Sequence, residues 1–302
     1  MGVLVYILGK SGTGKSYSMR NFPKDKFALV NVQGKVLPFK GSVKVIHRDT
    51  DDSTEIVEAI KDFAKIVPSI VIDDYQYTMA NEFMRRSYER GYDKFTEIGR
   101  HAWDIANTVR SLPDEVIVYI MCHLDRDEDG YERIKTIGKL LDEKICLEGM
   151  STIVLKTNVS DGVYTFLTQN SGKDTVKSPA GMFPSLAIDN DLYYVDQKIR
   201  NYYELGDHVS DEEIAKMDEE VKTEVVISSK RRGRAKPEAE ETKVEEVVEA
   251  EPELPKRKSR VKKEEEPDMV DLPFDIPDTT ESDDAEIAAP SPSRRRRRKE
   301  EN

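Results

Sequence analysis

Residues Gly9-Lys10-Ser11-Gly12-Thr13-Gly14-Lys15-Ser16 carry the spacing G-x-x-x-x-G-K-[ST] of a phosphate-binding loop. The chemistry explains the spacing. Glycines let the backbone curl until successive N–H groups face one anion. A helix starting at Gly14 or Lys15 would add the positive end of its dipole. Lys15 would reach the β and γ phosphates, and the Ser16 hydroxyl would ligate Mg²⁺. Ser69-Ile70-Val71-Ile72-Asp73-Asp74 is an apolar run ending in two acids. Such a strand sets carboxylates at the edge of a sheet, where Asp73 would hold Mg²⁺ through water. Asp74 has two readings. It orients or deprotonates an attacking water, or it caps the helix that follows. His123 follows a third apolar run and reads either as a sensor of the terminal phosphate or as a structural histidine.

These residues need a scaffold. Val3–Leu8, Phe27–Val32, Val43–Ile46, Ser69–Ile72 and Glu115–Cys122 are short apolar runs, as expected of strands buried on both faces. Between them, Thr54–Ile66 repeats Ile56, Val57, Ile60, Phe63 and Ala64 at helical spacing, and Tyr77–Arg90 and Phe95–Ser111 also read as helices. The alternation predicts an α/β domain with a mostly parallel sheet. Thr152–Val159 and Val163–Thr168 flank Ser160-Asp161-Gly162, which predicts an antiparallel hairpin. A final helix is expected over Asp189–Glu204. Leu124–Lys139 is polar, with cations Arg126, Arg133, Lys135 and Lys139. It reads as a mobile loop that contacts DNA or a neighbour's nucleotide, or as a solvated loop.

The chain has 302 residues and a net charge of -12. Residues 206–302 hold 29 acids, 20 bases and one aromatic, Phe274, so that third lacks the apolar surface to offset chain entropy. The expected organisation is a domain over 1–205 and a charged, mostly disordered tail over 206–302, with a short helix at Asp211–Glu220. Basic runs at Lys230–Lys236, Lys256–Lys263 and Arg294–Lys299 alternate with acidic blocks. They read as phosphate contacts, as partners of the acidic blocks or as solubilising charge. No run approaches the ~18–20 apolar residues of a membrane span, and the apolar N-terminus lacks the basic flank of a signal peptide. Cys122 and Cys146 sit in apolar runs and read as buried, reduced thiols; no His/Cys spacing suggests zinc. A cytoplasmic protein is expected.

GKSGTGKS, SIVIDD, the Met-Cys-His at 121–123, KTIGKLLDEKICLEGM and SPAGMFPSLAIDNDL together resemble phage-encoded AAA-type ATP-binding proteins. They are similar to the RecA-like single-strand annealing ATPases of phages, the Sak group. The resemblance covers roughly residues 1–205. It implies a RecA-like P-loop NTPase core closed by the C-terminal hairpin, ATP with Mg²⁺, single-stranded DNA as partner, a role in phage recombination or replication, and possible homo-oligomers. One departure stands out. RecA-like ATPases commonly carry a catalytic Glu at the end of an early core strand, whereas this chain has Asn31-Val32-Gln33-Gly34. Gln33 could position water but is a poor base.

Two functions follow as expectations. One is a single-stranded-DNA-dependent ATPase that promotes annealing or strand exchange. The other is a nucleotide-gated binding module with little turnover. Its tail would recruit a single-stranded-DNA-binding protein or another replication protein through Asp271-Leu272-Pro273-Phe274-Asp275-Ile276-Pro277. That peptide resembles the acidic tip of bacterial single-stranded-DNA-binding proteins but is internal, and a chance apolar cluster in a linker is its other reading. A small-molecule kinase lacks a second substrate site, a GTPase lacks Asn-Lys-x-Asp, and the hairpin after Ser151 argues against an added helical lid.

Overall fold

The computed structural model describes residues 1–138, 141 and 144–220. Lys139, the three basic runs and the 271–277 peptide lie outside the described residues.

The apolar runs pair as expected of strands buried on both faces. β1 (Val3–Leu8), β2 (Phe27–Asn31), β3 (Ile46–Asp49), β4 (Ser69–Asp73), β5 (Ile117–Cys122) and β8 (Ile153–Ser160) pair with one another in parallel. β9 (Val163–Leu167) and β10 (Ala187–Asp189) add antiparallel, giving the eight-stranded order β10-β9-β8-β1-β5-β4-β2-β3. The fold is α/β with a mostly parallel sheet, compatible with a Rossmann-type or RecA-like core. β8 and β9 are the predicted hairpin, turned by Asp161 and Gly162, both at positive φ.

Side chains alternate between two cores, as a period of two requires. Tyr6, Leu8, Ile70, Ile72, Val118 and Ile120 face α1 (Ser53–Phe63), α2 (Gln76–Arg85) and α3 (Asp93–Thr108). Val5, Ile7, Val71, Ile117, Tyr119 and Met121 face Met19, Phe22 and α4 (Leu192–Tyr203). Asp52 caps α1 by accepting from the N–H groups of Thr54 and Glu55, and Asp191 caps α4 in the same way. A buried polar lock ties α4 to the start of the sheet. Asp196 accepts from Ser69 (2.6 Å), Tyr119 (3.0 Å) and Arg200 (2.7 Å), while Arg200 also donates to the carbonyls of Pro68 and Glu115. The helix expected at 211–220 is present. Its Ile214 is buried, its Met217 packs against the core that α4 shares, and its Asp218 accepts from Tyr194 and Lys198.

Four expectations change. The segment after the glycine loop is a six-residue 3₁₀ helix, Ser16–Asn21, not an α-helix starting at Gly14 or Lys15. Gly14 at φ +98° cannot begin a right-handed helix, and Pro23 forces Phe22 extended. β3 lies at Ile46–Asp49 rather than Val43–Ile46, since an edge strand needs no continuous apolar run. Leu124–Lys139 is no plain loop: β6 (Leu124–Arg126) and β7 (Glu132–Ile134) form a ribbon held by Glu132, which binds Arg126 (2.7 Å) and Lys156 (3.1 Å). Cys122 is buried, but Cys146 is exposed, its thiol donating to Glu148 at 3.5 Å. No described helix is long and apolar enough to cross a membrane.

Candidate functional site

Parallel strands deliver their C-terminal ends to one edge, and the predicted residues converge there. The Gly9–Ser16 loop leaves β1, Asp73 ends β4 with Asp74 next to it, and His123 follows β5, which runs between those two strands. A cleft of about 510 Å³ is lined by Ser11, Gly12, Gly14, Lys15, Ser16, Tyr17, Lys35, Pro38, Asp74, His123 and Tyr164.

The loop is braced from below. Thr13 Oγ1 accepts or donates at 2.6 Å to Thr157 Oγ1 on β8, and Thr157 donates to the Leu8 carbonyl. A side chain at Gly9 would place its Cβ 1.9 Å from Thr157 Oγ1, so only glycine fits. Gly12 and Gly14 take positive φ, which turns the chain without a Cβ penalty. Lys10 contributes its carbonyl, which accepts from Thr13 (2.7 Å) and Lys15 (3.2 Å).

Lys15 is buried, and its ammonium donates to the Gly9 carbonyl at 3.0 Å, with Asp74 Oδ1 3.8 Å away. Burial lowers its pKa, and the charges of Asp74 and Asp73 pull against that fall. Ser16 donates to Asp73 Oδ2 at 2.5 Å, while Asp73 Oδ1 is buried with no hydrogen-bond partner. Burial, then the neighbouring Asp74 charge, pushes the Asp73 pKa above the usual carboxylate range. For Asp74, burial alone would raise the pKa, but the neighbouring His123 ring, the Lys15 charge and the Lys35 hydrogen bond outweigh it and hold the carboxyl well below the usual range. His123 Nε2 lies 3.5 Å from Asp74 Oδ1, and its backbone N–H donates to Gln76 Oε1 at 3.2 Å. The Asp73–Asp74 peptide is cis.

Asp74 does not cap α2. Tyr75 occupies that position without a side-chain cap, and the Asp74 carboxylate turns into the cleft instead. Gln33 is half-buried and does not line the cleft. Sequence reasoning missed four contributors. Lys35 donates to Asp74 Oδ2 at 3.0 Å, Tyr17 and Tyr164 form a tilted pair at 5.7 Å, and Asn190 is buried against Gly14 with both amide atoms unpartnered. Asn190-Asp191 before the last helix was the one signal available: Asp191 caps that helix, leaving Asn190 to point elsewhere.

Ser16 and Asp73 fit a divalent cation. One carboxylate oxygen is orphaned, the other touches a hydroxyl, and both are hard donors. Among the described residues no group of three or more His, Cys, Asp or Glu side chains surrounds a metal position. A two-residue set suits Mg²⁺ that completes its shell with water and substrate phosphate. No protein-family model matches the chain, and comparison with curated proteins finds no match.

Proposed function

We propose that the chain is a P-loop ATPase with a RecA-like core, related to the phage annealing ATPases it resembles, and that it works on single-stranded DNA in recombination or replication. One observation carries the ATPase reading. The loop with phosphate-binding spacing sits at the C-terminal edge of a parallel sheet, in a cleft shared with Lys15, Asp74 and His123, and its Ser16 touches Asp73.

The residues divide the work. Loop N–H groups and the Lys15 ammonium bind the triphosphate. Ser16 and Asp73 would hold Mg²⁺, which when bound would offset the charge of the phosphates. Asp74 holds the attacking water and accepts its proton, with His123 beside the same carboxylate, 3.5 Å from Oδ1. His123 lies close enough to Asp74 to pass a change there to the β6–β7 ribbon. The Lys135 N–H donates to its carbonyl just beyond that ribbon. Single-stranded DNA at the ribbon would act back by the same route.

Steady-state ATP hydrolysis by the purified chain, with and without single-stranded DNA, tests this. Stimulation by DNA and loss of turnover in Lys15→Ala are expected. A chain that neither binds nor turns over ATP refutes it. The binding-module reading has its own support. Asn31, not an acid, ends β2, and Asp74 is engaged by two ammonium groups. ATP binding without turnover under either condition favours that second reading.

A further inference from the structure

Where the resemblance leads one to expect an acid, the structure holds a cation. Beyond β2 the chain turns at Gly34 (φ +59°) and reaches Lys35. Asn31, 8% exposed, grips the Lys35 backbone from both sides. Its Nδ2 donates to the Lys35 carbonyl at 2.8 Å, and the Lys35 N–H donates to its Oδ1 at 3.2 Å. The Lys35 ammonium then donates to Asp74 Oδ2 and lies 5.6 Å from the centre of the Tyr77 ring. That ring meets His123 edge-on at 6.2 Å.

This arrangement is costly for an exposed lysine. Ordering its four-carbon stem loses rotamer entropy, and the carboxylate it meets is buried and already approached by Lys15. A surface lysine gains little from a buried amide that fixes its backbone. The geometry makes sense if the ammonium has a second partner. Lys15 and Lys35 approach the two oxygens of one carboxylate, Asp74 Oδ1 and Oδ2, and both line the same cleft. A phosphoryl group entering that cleft presents oxygens at a spacing close to a carboxylate's and carries more charge, so it competes for both.

We propose that Lys35 is a catalytic cation supplied in cis, which leaves Asp74 for the terminal phosphate of a bound nucleoside triphosphate and stabilises the charge that develops there during hydrolysis. The inference rests on the triphosphate reading of the site. Water attacks the γ-phosphorus, and a new O–P bond forms. The bond from phosphorus to the β–γ bridging oxygen breaks, its electron pair staying on the diphosphate. The water's proton passes to Asp74 and then to solvent. Lys35 forms no covalent bond; it donates hydrogen bonds to the γ oxygens, where preorganised donors act most strongly. The same movement releases Asp74 from one ammonium, so nucleotide binding and exposure of the proton acceptor are one event. No cation from a neighbouring subunit is then needed for the chemical step.

The test compares the full chain with Lys35→Met and Lys35→Arg, using MgATP turnover and the affinities for ADP and for ADP with aluminium fluoride. Urea unfolding midpoints check that the variants are folded. Lys35→Met should lower kcat by about 10²–10³-fold, the usual cost of one such donor, with ADP affinity within about threefold of the parent. Its preference for the aluminium fluoride complex over ADP should collapse, and Lys35→Arg should restore part of both. Turnover within twofold of the parent in Lys35→Met overturns the role of Lys35 and leaves the ATPase reading standing. Equal loss of ADP and aluminium fluoride binding also overturns it, since Lys35 would then serve ground-state binding or local structure. Where the parent binds ATP without turnover, an aluminium fluoride preference unchanged in Lys35→Met overturns it. Failure of the parent to bind nucleotide at all overturns the site reading and this inference together.

Discussion

Gly9→Ala tests whether the loop is held by its floor. Gly9 is not at positive φ, so space and not backbone conformation excludes a side chain. The added Cβ would lie 1.9 Å from Thr157 Oγ1 and 2.7 Å from Thr13 Oγ1, well inside the ~3.5 Å of ordinary contact. Thr157 must rotate, which breaks its bonds to Leu8 and Thr13. Each lost bond costs about 0.5–1.5 kcal/mol, and the residual crowding about 1–3 kcal/mol. A loss of roughly 2–6 kcal/mol is expected, read from urea unfolding by the fluorescence of the single tryptophan, Trp103. Trp103 packs against the core that β1 shares with α3 and reports on it directly. The decisive comparison adds Thr157→Ala, which removes the clashing oxygen. The double variant should lose at least about 1 kcal/mol less than the two single losses combined. Losses that add within about 0.5 kcal/mol would refute the steric argument, because the two positions would then be energetically independent.

Other outcomes follow from the same structure. Asp196→Asn leaves the buried Arg200 guanidinium without its charge partner and should cost about 3–5 kcal/mol in urea unfolding. For Glu132 and Asp174, burial alone would raise the pKa, but hydrogen bonds from Lys156 (and from Arg126 and Ser171) hold both below their ordinary values. Their stabilisation is therefore present above the ordinary carboxylate range and is lost as pH falls through and below it. The stability gap between the parent and Lys156→Met should narrow when unfolding is measured at about pH 3 instead of about pH 6, and a constant gap would contradict the assignment. Tyr194→Phe removes the 2.6 Å hydrogen bond to Asp218 and should speed limited proteolysis within 211–220 without altering nucleotide affinity.

What could be read in advance divides along physical lines. β1, β4 and β5 are buried on both faces, so each is an unbroken apolar run that announces itself and its acid or histidine at the end. The glycine loop is visible because its backbone demands particular residues at particular places. Lys35 was invisible. It is one lysine among many on a turn, and only the Asn31 clamp, a contact between a strand end and its own loop, shows that it is aimed. β3 misled because an edge strand is half solvent and reads His47-Arg48-Asp49. Cys146 misled because apolar neighbours in sequence need not be neighbours in the core: Leu147 is buried while Cys146 beside it is exposed.

The central position of β1 bears on how the chain is made. It is made before both of its partners, β5 at residues 117–122 and β8 from residue 153. At about 5–20 residues per second, roughly 8–30 s separate the synthesis of Leu8 from that of Thr157. Until β5 is made, Val3–Leu8 is an apolar segment without a sheet partner, the kind of stretch that chaperones hold and that aggregates when unattended. The glycine loop has no floor until β8 arrives. The glycine loop, made before both strands that flank β1, is therefore among the last parts of the domain to acquire its shape, and a nascent chain ending before residue 153 carries the loop sequence without its floor.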